Sequence, residues 1–293
     1  VTQNIAPELS EAGIINDILV TDYDNDNDYD LLVVGEWMPI TLFRNVDGIF
    51  SKVKVSEFNN TEGWWNTISA IDFDKDGDQD YFVGNLGENN KFHPSIEKPL
   101  HIYGSNFDNN DTYDMVLSKD YKGNLVPIRG KECSTQQNAF IEQKTPTFKD
   151  FAASTLIDIY GNEQLKTAYH KSVCTLSSIY IENRGDDTFK IQNLPSTAQL
   201  GPTMGFEFGD VNNDGFQDVI GIGAIHEAEV ETIRYDANVG YILLGNAEGN
   251  LKPYKDINFY NDKNSKAIKR LKINGKMHYV IANNNSNLTI FRD

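Results

Sequence analysis

The feature that most constrains this chain is an acidic nonapeptide, D-F-D-K-D-G-D-Q-D at Asp72–Asp80. Its carboxylates repel one another, and a regular helix or strand does not tolerate so many like charges side by side. At alternate positions their oxygens can converge on one cation, with Gly77 making the sharp bend and Asp80 closing the ring. Hard oxygen ligands in a flexible loop suit Ca²⁺, whereas Mg²⁺ demands a stricter octahedron and retained waters. A solvated acidic turn is the alternative for this loop taken alone.

The same pattern occurs four times, which favours the metal-binding interpretation. The other copies are D-Y-D-N-D-N-D-Y-D at Asp22–Asp30, N-F-D-N-N-D-T-Y-D at Asn106–Asp114 and D-V-N-N-D-G-F-Q-D at Asp210–Asp218. We number them in chain order as loop 1 (22–30), loop 2 (72–80), loop 3 (106–114) and loop 4 (210–218). Each has Asp or Asn at positions one, three and five, and Asp at position nine. The predicted metal ligands are Asp22, Asp24, Asp26, Asp28, Asp30, Asp72, Asp74, Asp76, Asp78, Asp80, Asn106, Asp108, Asn110, Asp114, Asp210, Asn212, Asp214 and Asp218.

Position six of each loop indicates a left-handed backbone. Loops 2 and 4 have Gly there, and Asn27 and Asp111 take its place in loops 1 and 3. Asn and Asp tolerate that conformation best after Gly. The sequence therefore predicts one common loop geometry with up to four bound Ca²⁺ ions.

An EF-hand is the obvious rival, and the flanking sequence excludes it. An EF-hand loop needs Glu at its twelfth position and a helix on either side. The twelfth positions here lack an oxygen-bearing side chain; they are Val33, Val83, Leu117 and Gly221. Short apolar runs precede and follow each loop, which is typical of buried strands. Each unit is thus predicted to be strand, calcium loop, strand.

The spacing of these units predicts an all-β fold. Around loop 1 the sequence supplies four antiparallel strands in about 45 residues, with Asp47-Gly48 as a hairpin turn. Repeated four-stranded units of this length indicate the blades of a β-propeller. Five blades are readable, and the fifth has an Asn274-Gly275 hairpin but no acidic loop. We interpret residues 1–293 as a single propeller domain or part of one.

A helical pattern interrupts the third blade, and we predict a helical insertion at 130–170. Apolar residues between Phe148 and Ile159 follow one helical face, with Thr147 as the N-cap and Gly161 as the stop. We expect the third blade to resume at S-S-I-Y-I-E-N and T-F-K-I-Q-N, residues 177–183 and 188–193.

Charge and composition limit the class of partner. The formal net charge of −17 argues against nucleic acid, because phosphates require a basic face. There is no apolar run of about 18 residues, so no membrane-spanning helix is predicted. Cys133 and Cys174 are too few for a disulfide scaffold, and both two buried thiols and a single bridge stay open. The opening V-T-Q-N-I-A-P-E-L has no signal peptide and favours a piece of a longer protein.

A second candidate site is a ligand pocket near the propeller axis. The sequence shows no Ser-His-Asp or Cys-His arrangement, so no catalytic residues are assigned. The candidate ligand-binding residues are Glu36, Trp37, Trp64, Trp65, Arg234, Tyr235 and Asp236. The adjacent tryptophans 64 and 65 suit sugar stacking, although packing of one of them in the core is the alternative. For the segment 226–236, both a structural loop and a pocket-lining role remain as interpretations.

The residues resemble the FG-GAP/VCBS repeat family, the calcium-looped blades also found in integrin α-chain propellers. The chain is most similar to the C-terminal part of large VCBS-repeat, ASPIC/UnbV-labelled proteins of Bacteroidetes-type bacteria. That resemblance rests on G-E-W-M-P at Gly35–Pro39, on L-V-P-I-R with its helical insertion, and on R-Y-D-A at Arg234–Ala237. It implies a secreted or outer-membrane-attached propeller. The resemblance informs the fold and the bound metal more than the activity. Asn27, Asp111 and Asn106 depart from the pattern, which predicts weaker first and third sites.

Two functions follow as expectations. The first is an extracellular or surface-attached bacterial module, stiffened by Ca²⁺, that binds a protein or a glycan without catalysis and forms part of a larger surface protein. Millimolar calcium, which weak sites require, points outside the cytoplasm. The alternative is a glycan-acting enzyme that uses the axial pocket, but no carboxylate pair can be singled out for it.

Overall fold

The computed structural model describes residues 2–228, 232–255 and 258–292. Their strands, in chain order, are β1 (Ile14–Thr21), β2 (Asp30–Met38), β3 (Thr41–Val46), β4 (Ile49–Val53), β5 (Gly63–Trp64), β6 (Thr67–Ile71), β7 (Asp80–Gly84), β8 (Leu100–Ser105), β9 (Asp114–Tyr121), β10 (Asn124–Pro127), β11 (Tyr169–Val173), β12 (Ile179–Asn183), β13 (Phe189–Asn193), β14 (Gly205–Gly209), β15 (Asp218–Ile222), β16 (Tyr241–Leu244), β17 (Lys252–Tyr254), β18 (Ser265–Ile273), β19 (Lys276–Asn283) and β20 (Thr289–Arg292). The α-helices are α1 (Thr2–Ile5), α2 (Lys131–Gln137), α3 (Phe140–Lys144), α4 (Phe148–Ala153), α5 (Leu156–Tyr160) and α6 (Asn162–Thr167). Short 3-10 helices lie at Pro7–Glu11, Ser56–Phe58 and Ser196–Gln199.

Within these ranges the strands form antiparallel sheets that we number I to V. Sheet I has the order β1-β2-β3-β4 with β5 paired to β2, sheet II β13-β12-β7-β6, sheet III β10-β9-β8-β11, sheet IV β14-β15-β16-β17 and sheet V β18-β19-β20. The chain is therefore mostly β, with several four-stranded antiparallel sheets, as the sequence predicts. The two predicted hairpins are present, since Asp47 and Asn274 have φ angles of 54° and 51° and each is followed by a glycine with positive φ.

The chain divides into two compact units. Unit 1 comprises Val1–Lys91 and Leu176–Asp293, and contains sheets I, II, IV and V. Unit 2 is Phe92–Thr175, and contains sheet III with helices α2 to α6. In sequence, unit 2 is inserted between β7 and β12, two neighbouring strands of sheet II.

One predicted strand assignment is wrong. The segments 177–183 and 188–193 were expected to complete the third blade, but they form β12 and β13 of sheet II, where Ile181 pairs with Tyr81. The third sheet is instead completed by β11, which pairs with β8. An apolar strand pattern shows that a segment is buried but does not identify the strand it pairs with. Because unit 2 is inserted between β7 and β12 in sequence, the pairing of these two strands could not be predicted.

The core of unit 1 lies between successive sheets. Leu32 and Leu42 of sheet I pack with Tyr81 and Ile179 of sheet II in one buried cluster. A second cluster joins Phe82 and Tyr180 of sheet II to Phe206, Val219 and Leu243 of sheet IV. A third joins sheets IV and V through Ile220, Ile222, Ile268, Tyr279 and Ile281. Sheets II and IV are thus covered on both faces, which explains why β7 and β15 are buried along their whole length.

Unit 2 packs short helices against sheet III. Phe107 and Val116, from the loop-strand region of the sheet, share a cluster with Ile141, Leu156 and Ile159 of the helices. The helices lie within the predicted range 130–170. The segment from Phe148 to Ile159, which was predicted to follow one helical face, forms two helices, α4 and α5.

Capping explains this division. Thr147 begins α4 and Thr155 begins α5, each accepting the N–H of the Asp three residues later in a capping box. Gly161 ends α5 with a φ of 85°, as predicted.

Across the described residues, no helix is long and apolar enough to cross a membrane.

Candidate metal centre

Each acidic loop connects two hydrogen-bonded neighbouring strands. Loop 1 joins β1 to β2, loop 2 joins β6 to β7, loop 3 joins β8 to β9, and loop 4 joins β14 to β15. The flanking strands confirm the predicted order of strand, loop, strand. Loops 1, 2 and 4 lie in unit 1 and loop 3 lies in unit 2.

The loops share a backbone with two left-handed residues. Position six has positive φ in every copy: Asn27 70°, Gly77 102°, Asp111 65° and Gly215 90°. This agrees with the prediction from Gly, Asn and Asp at that position. Position four is also left-handed: Asn25 58°, Lys75 66°, Asn109 59° and Asn213 59°. We did not predict this second position, although Asn in three of the four copies was the available signal.

The Asp at position nine closes each loop from inside the protein. Asp30, Asp80, Asp114 and Asp218 are buried, in contrast to the exposed tips of the loops. Each carboxylate accepts the backbone N–H of position two of its own loop, from Tyr23 at 3.4 Å, Phe73 at 3.1 Å, Phe107 at 3.2 Å and Val211 at 2.8 Å. A buried carboxylate with such donors holds the start and the end of the loop together.

In unit 1 the same carboxylates also bind the third strand of their sheet. The second oxygen accepts a backbone N–H from Asn45 of β3 at 2.7 Å, from Asn183 of β12 at 2.9 Å and from Gly245, the residue after β16, at 3.0 Å. In loop 2 the hydroxyl of Tyr180 donates to Asp80 as well, at 2.9 Å. Position nine is therefore a structural anchor in addition to a candidate ligand, a role that the sequence pattern did not reveal.

Loops 1 and 2 bring carboxylate oxygens together. Oxygens of Asp22, Asp24 and Asp30 lie within 4.8 Å of one another, and so do oxygens of Asp72, Asp74 and Asp76. Among the residues that the structure describes, these are the carboxylate groups of three or more that meet this criterion. Exposed acidic groups of this kind are common without a metal, so convergence alone does not identify a site.

The hydrogen bonding within the two clusters supplies a test of whether a cation fits. Oδ1 of Asp72 and Oδ1 of Asp24 are inaccessible to solvent and lack a hydrogen-bond donor in the described structure. A buried carboxylate oxygen without a donor is unfavourable unless a positive charge compensates it. The donor set is all oxygen, which is the chemistry that Ca²⁺ prefers. The residues of loops 1 and 2 therefore fit a hard cation.

Other predicted ligands are engaged within the protein. Asp26 and Asp76 accept the N–H of Asp28 and Asp78, each at 2.9 Å. Asp78 accepts a side-chain hydrogen bond from Asn25 at 2.6 Å.

Amides replace several carboxylates in loops 3 and 4. In loop 4, the N–H of Asp214 donates to Asp210 at 2.9 Å and to Asn212 at 3.0 Å. In loop 3, the N–H of Asn110 donates to Asn106 at 3.1 Å and to Asp108 at 3.2 Å. The side chains of positions one and three thus point back over the loop in both copies, and they carry less negative charge than those of loops 1 and 2.

Burial disfavours the charged form of the anchoring carboxyls. It raises the pKa of Asp80 to about 7, with the N–H of Asn183 and the hydroxyl of Tyr180 opposing the shift. Burial also raises the pKa values of Asp30 and Asp218. The pKa of Asp74 is raised by burial and by the neighbouring charge of Asp76. Burial therefore shifts these carboxyls toward their protonated form.

The three loops of unit 1 contact one another. Asn25 of loop 1 donates to Asp78 of loop 2, and Lys75 of loop 2 donates from Nζ to the backbone oxygen of Gly215 in loop 4 at 2.7 Å. The Lys75 ammonium also lies over the ring of Phe216, 5.4 Å from its centroid. Loop 2 thus contacts both loop 1 and loop 4.

The loop geometry agrees with what a comparison of the sequence with protein families finds. Residues 22–83, which span loops 1 and 2 with the strands between them, match the model described as FG-GAP-like repeat. The chain contains an FG-GAP-like repeat. The family resemblance seen in the sequence is thereby confirmed, while the closer similarity to Bacteroidetes proteins stays a prediction.

Two further comparisons add little to the FG-GAP-like assignment. Among curated proteins, none matches this chain. One solved structure that matches is described as the basis of specific recognition of non-reducing terminal N-acetylglucosamine by an Agrocybe aegerita lectin. It is 14% identical, covers 95% of this chain and 80% of the lectin chain, and has a TM-score of 0.23. A similarity at this level carries no argument about fold or function.

The aromatic candidates lie where β5 pairs with β2 in sheet I. Trp65 is fully buried and donates from Nε1 to the backbone oxygen of Thr61 at 2.9 Å, so it is the core tryptophan. Trp64 pairs with Glu36 and makes an edge contact with Trp37 at 5.3 Å between ring centroids. Trp37 itself has a φ of 60° at a bulge in the pairing. Trp37 is half-buried, so part of its surface is accessible at this bulge.

The remaining candidates line a separate cavity. Arg234, Tyr235 and Asp236 border a volume of about 430 Å³ together with Asn89, Asn90, Lys91, Leu200, Thr232, Ile233 and Ala237. Arg234 and Asp236 form an ion pair at 3.2 Å. The tryptophans and Glu36 are not part of this lining, so the predicted residues form two groups. In the inserted segment 226–236, residues 229–231 lie outside the described residues.

The structure decides between a disulfide bridge and two thiols. Cys133 and Cys174 are half-buried and are not joined by a disulfide.

Proposed function

We propose that this protein is a calcium-binding β-propeller module that binds a protein or glycan ligand without catalysis, outside the cell or on the outer-membrane surface of a bacterium. The observation that carries the proposal is the convergence of Asp72, Asp74 and Asp76 in loop 2, with a solvent-inaccessible oxygen of Asp72 that has no hydrogen-bond donor. Loop 1 repeats the arrangement with Asp22 and Asp24. The FG-GAP-like match spans both loops.

The propeller part of the proposal is supported by packing. In unit 1, sheets I, II, IV and V share buried clusters in succession, as neighbouring blades do. Position nine of each loop in this unit is hydrogen bonded to the third strand of its sheet. A cation at the loop would therefore stabilise the sheet through this anchor as well as the loop itself.

Calcium would supply the positive charge that the loops lack. The carboxylates of loops 1 and 2 would hold it, and loops 3 and 4 would offer amide and carboxylate oxygens. Binding to the folded state alone raises the free energy of unfolding according to ligand concentration and affinity. The role of the ion in this proposal is structural, since it stiffens the surface that presents the ligand-binding residues.

Titration calorimetry and thermal unfolding test the metal part. We expect Ca²⁺ to bind the EDTA-treated protein and to raise its Tm, with Mg²⁺ at the same concentration giving a smaller rise. Asp74→Asn should remove binding at loop 2. The matched control is Asp120→Asn, an acidic residue of unit 2 outside the four loops, which should leave binding unchanged. A Tm and a titration that do not respond to calcium would contradict the proposal.

The ligand part is supported by the half-buried aromatic pair of Trp37 and Trp64 at the bulged pairing of β2 with β5. Aromatic rings at a bulged strand edge suit stacking on a sugar or packing on a protein side chain. A glycan array probed with the labelled, calcium-loaded protein tests the glycan option. We expect Trp37→Ala to lose the binding that wild type shows, while Tyr29→Ala, an exposed aromatic residue of loop 1, retains it.

The alternative function, a glycan-acting enzyme, depends on the cavity with the Arg234–Asp236 ion pair. It predicts new reducing ends when the protein is incubated with a panel of polysaccharides, and loss of that product in Asp236→Asn. Binding on the array without product would favour the non-catalytic function.

A further inference from the structure

The three acidic loops of unit 1 differ at one equivalent position on the neighbouring strand. The residues that donate to the position-nine carboxylates are Asn45, Asn183 and Gly245. The residue immediately before each of these donors is Arg44 in sheet I, Glu182 in sheet II and Leu244 in sheet IV. The strand registers agree, since the pairs Leu31↔Phe43, Tyr81↔Ile181 and Val219↔Leu243 end each ladder one residue before these positions. One position therefore carries a positive, a negative and an uncharged side chain.

In loop 1 the positive side chain lies among the candidate metal ligands. Nη2 of Arg44 is 2.6 Å from Oδ2 of Asp24 and 3.2 Å from Oδ2 of Asp26. Asp24 belongs to the converging carboxylate cluster of this loop. The guanidinium thus supplies part of the charge compensation that a cation would supply, and it does so through a fixed, planar group.

In loop 2 the equivalent residue, Glu182, offers no positive charge to the carboxylates. Glu182 is itself held by Arg184 and Lys190, each with a nitrogen 2.9 Å from a carboxylate oxygen. Lys75, the basic residue within loop 2, donates to Gly215 of loop 4. Among the described residues, no ion pair joins Lys or Arg to a carboxylate of loop 2, in contrast to Arg44 in loop 1.

We propose that Arg44 is an internal counter-ion that lowers the calcium affinity of loop 1. Loop 1 is therefore stable without metal and binds Ca²⁺ more weakly than loop 2, whose carboxylate cluster has no such partner. This inference rests on the proposed calcium binding and assigns the order of the sites. Ligand charge is a principal determinant of calcium affinity.

The test replaces Arg44 with the residue of loop 4, in Arg44→Leu, and with an uncharged polar residue, in Arg44→Gln. Removing one positive charge a few ångströms from a bound dication should raise the calcium affinity of loop 1 about ten-fold or more, from Coulomb's law at a high-dielectric surface. We also expect a lower Tm in EDTA and a larger rise of Tm with calcium than in wild type. Lys166→Leu, an exposed cation of α6, makes the same change of net charge far from the loop in sequence and serves as the control.

A reciprocal variant guards against a folding defect at Arg44. Asp74→Asn should remove the tighter site of loop 2 from wild type and leave the site that Arg44→Gln strengthens, measured by calorimetric titration with Ca²⁺ alone. If wild type and both Arg44 variants bind calcium with the same affinities, the calcium sites stand and this inference is wrong. If wild type binds no calcium and Arg44→Leu does, loop 1 is an arginine-filled site but the expected binding at loop 2 is missing, and the proposed order is wrong. If none of the proteins binds calcium, the inference and the proposed function both fail.

Discussion

Asn183 donates its backbone N–H to Oδ1 of Asp80 at 2.9 Å, across 103 residues of sequence. Asp80 ends loop 2, and Asn183 ends β12, the third strand of the same sheet. The other oxygen of Asp80 accepts from Phe73 at 3.1 Å and from the Tyr180 hydroxyl at 2.9 Å. One buried carboxylate therefore closes the acidic loop and joins the strands on either side of the unit 2 insertion.

Removing this carboxylate should destabilise the protein strongly. Asp80→Ala leaves the amides of Asn183 and Phe73 and the Tyr180 hydroxyl without their acceptor in a buried place. We expect a loss of about 2–4 kcal/mol in the free energy of unfolding, measured in urea with EDTA present. Asp78→Ala, at the half-exposed tip of the same loop, should cost less than about 1 kcal/mol. Equal losses for the two variants would show that Asp80 is not an anchor.

The stability of the metal-free protein should depend on pH in an unusual direction. Burial raises the pKa of Asp80 to about 7, whereas an unfolded Asp has a pKa near 4. Between these values the folded state binds more protons than the unfolded state. The free energy of unfolding therefore falls as pH rises from about 4 to about 7.

Urea unfolding in EDTA at pH values of about 5.5 and about 7.5 measures this dependence. We expect the higher stability at the lower pH, and a smaller difference in Asp80→Asn. Calcium should reverse the trend, because a bound dication favours the deprotonated carboxylates. The same pH dependence with and without calcium would contradict the expected coupling.

Trp65 and Trp37 should respond differently to truncation. Trp65 is fully buried in the cluster between sheets I and II, so Trp65→Ala should cost about 3–5 kcal/mol. Trp37 lies at the outer bulge, and Trp37→Ala should change stability by less than about 1 kcal/mol. Thermal unfolding of both variants measures the difference. A large loss for Trp37→Ala would show that its left-handed conformation serves packing.

The helices of unit 2 depend on two separate caps. Thr155→Ala removes the acceptor for the N–H of Asp158 and should cost about 1 kcal/mol. Thr147→Ala should have a similar effect at α4. Hydrogen exchange of the first-turn amides locates each loss, with the other helix as the internal control. Faster exchange spread equally over both helices would indicate one continuous cooperative element.

The sequence predicted the parts of this protein that depend on local pattern. The period of the acidic loops, the flanking strands, and the hairpins at Asp47 and Asn274 all follow from residues close to one another. The division of the helical segment at Thr155 was missed, although a Thr followed three residues later by Asp was a visible capping signal.

What the sequence could not supply depends on long-range pairing. The apolar strand 179–183 has no feature that selects Tyr81 as a neighbour, so the insertion of unit 2 into sheet II was hidden. For the same reason Arg44 was not recognised beside Asp24, because its place follows from strand register. Glu182 and Leu244 become comparable with it only when the three sheets are aligned.

The most direct measurement for the central claim is a crystal structure of the protein grown with millimolar calcium, with anomalous diffraction data. We predict an anomalous peak enclosed by oxygens of Asp72, Asp74 and Asp76 in loop 2. If those oxygens instead surround only water in calcium-containing crystals, the claim that the acidic loops hold Ca²⁺ is wrong.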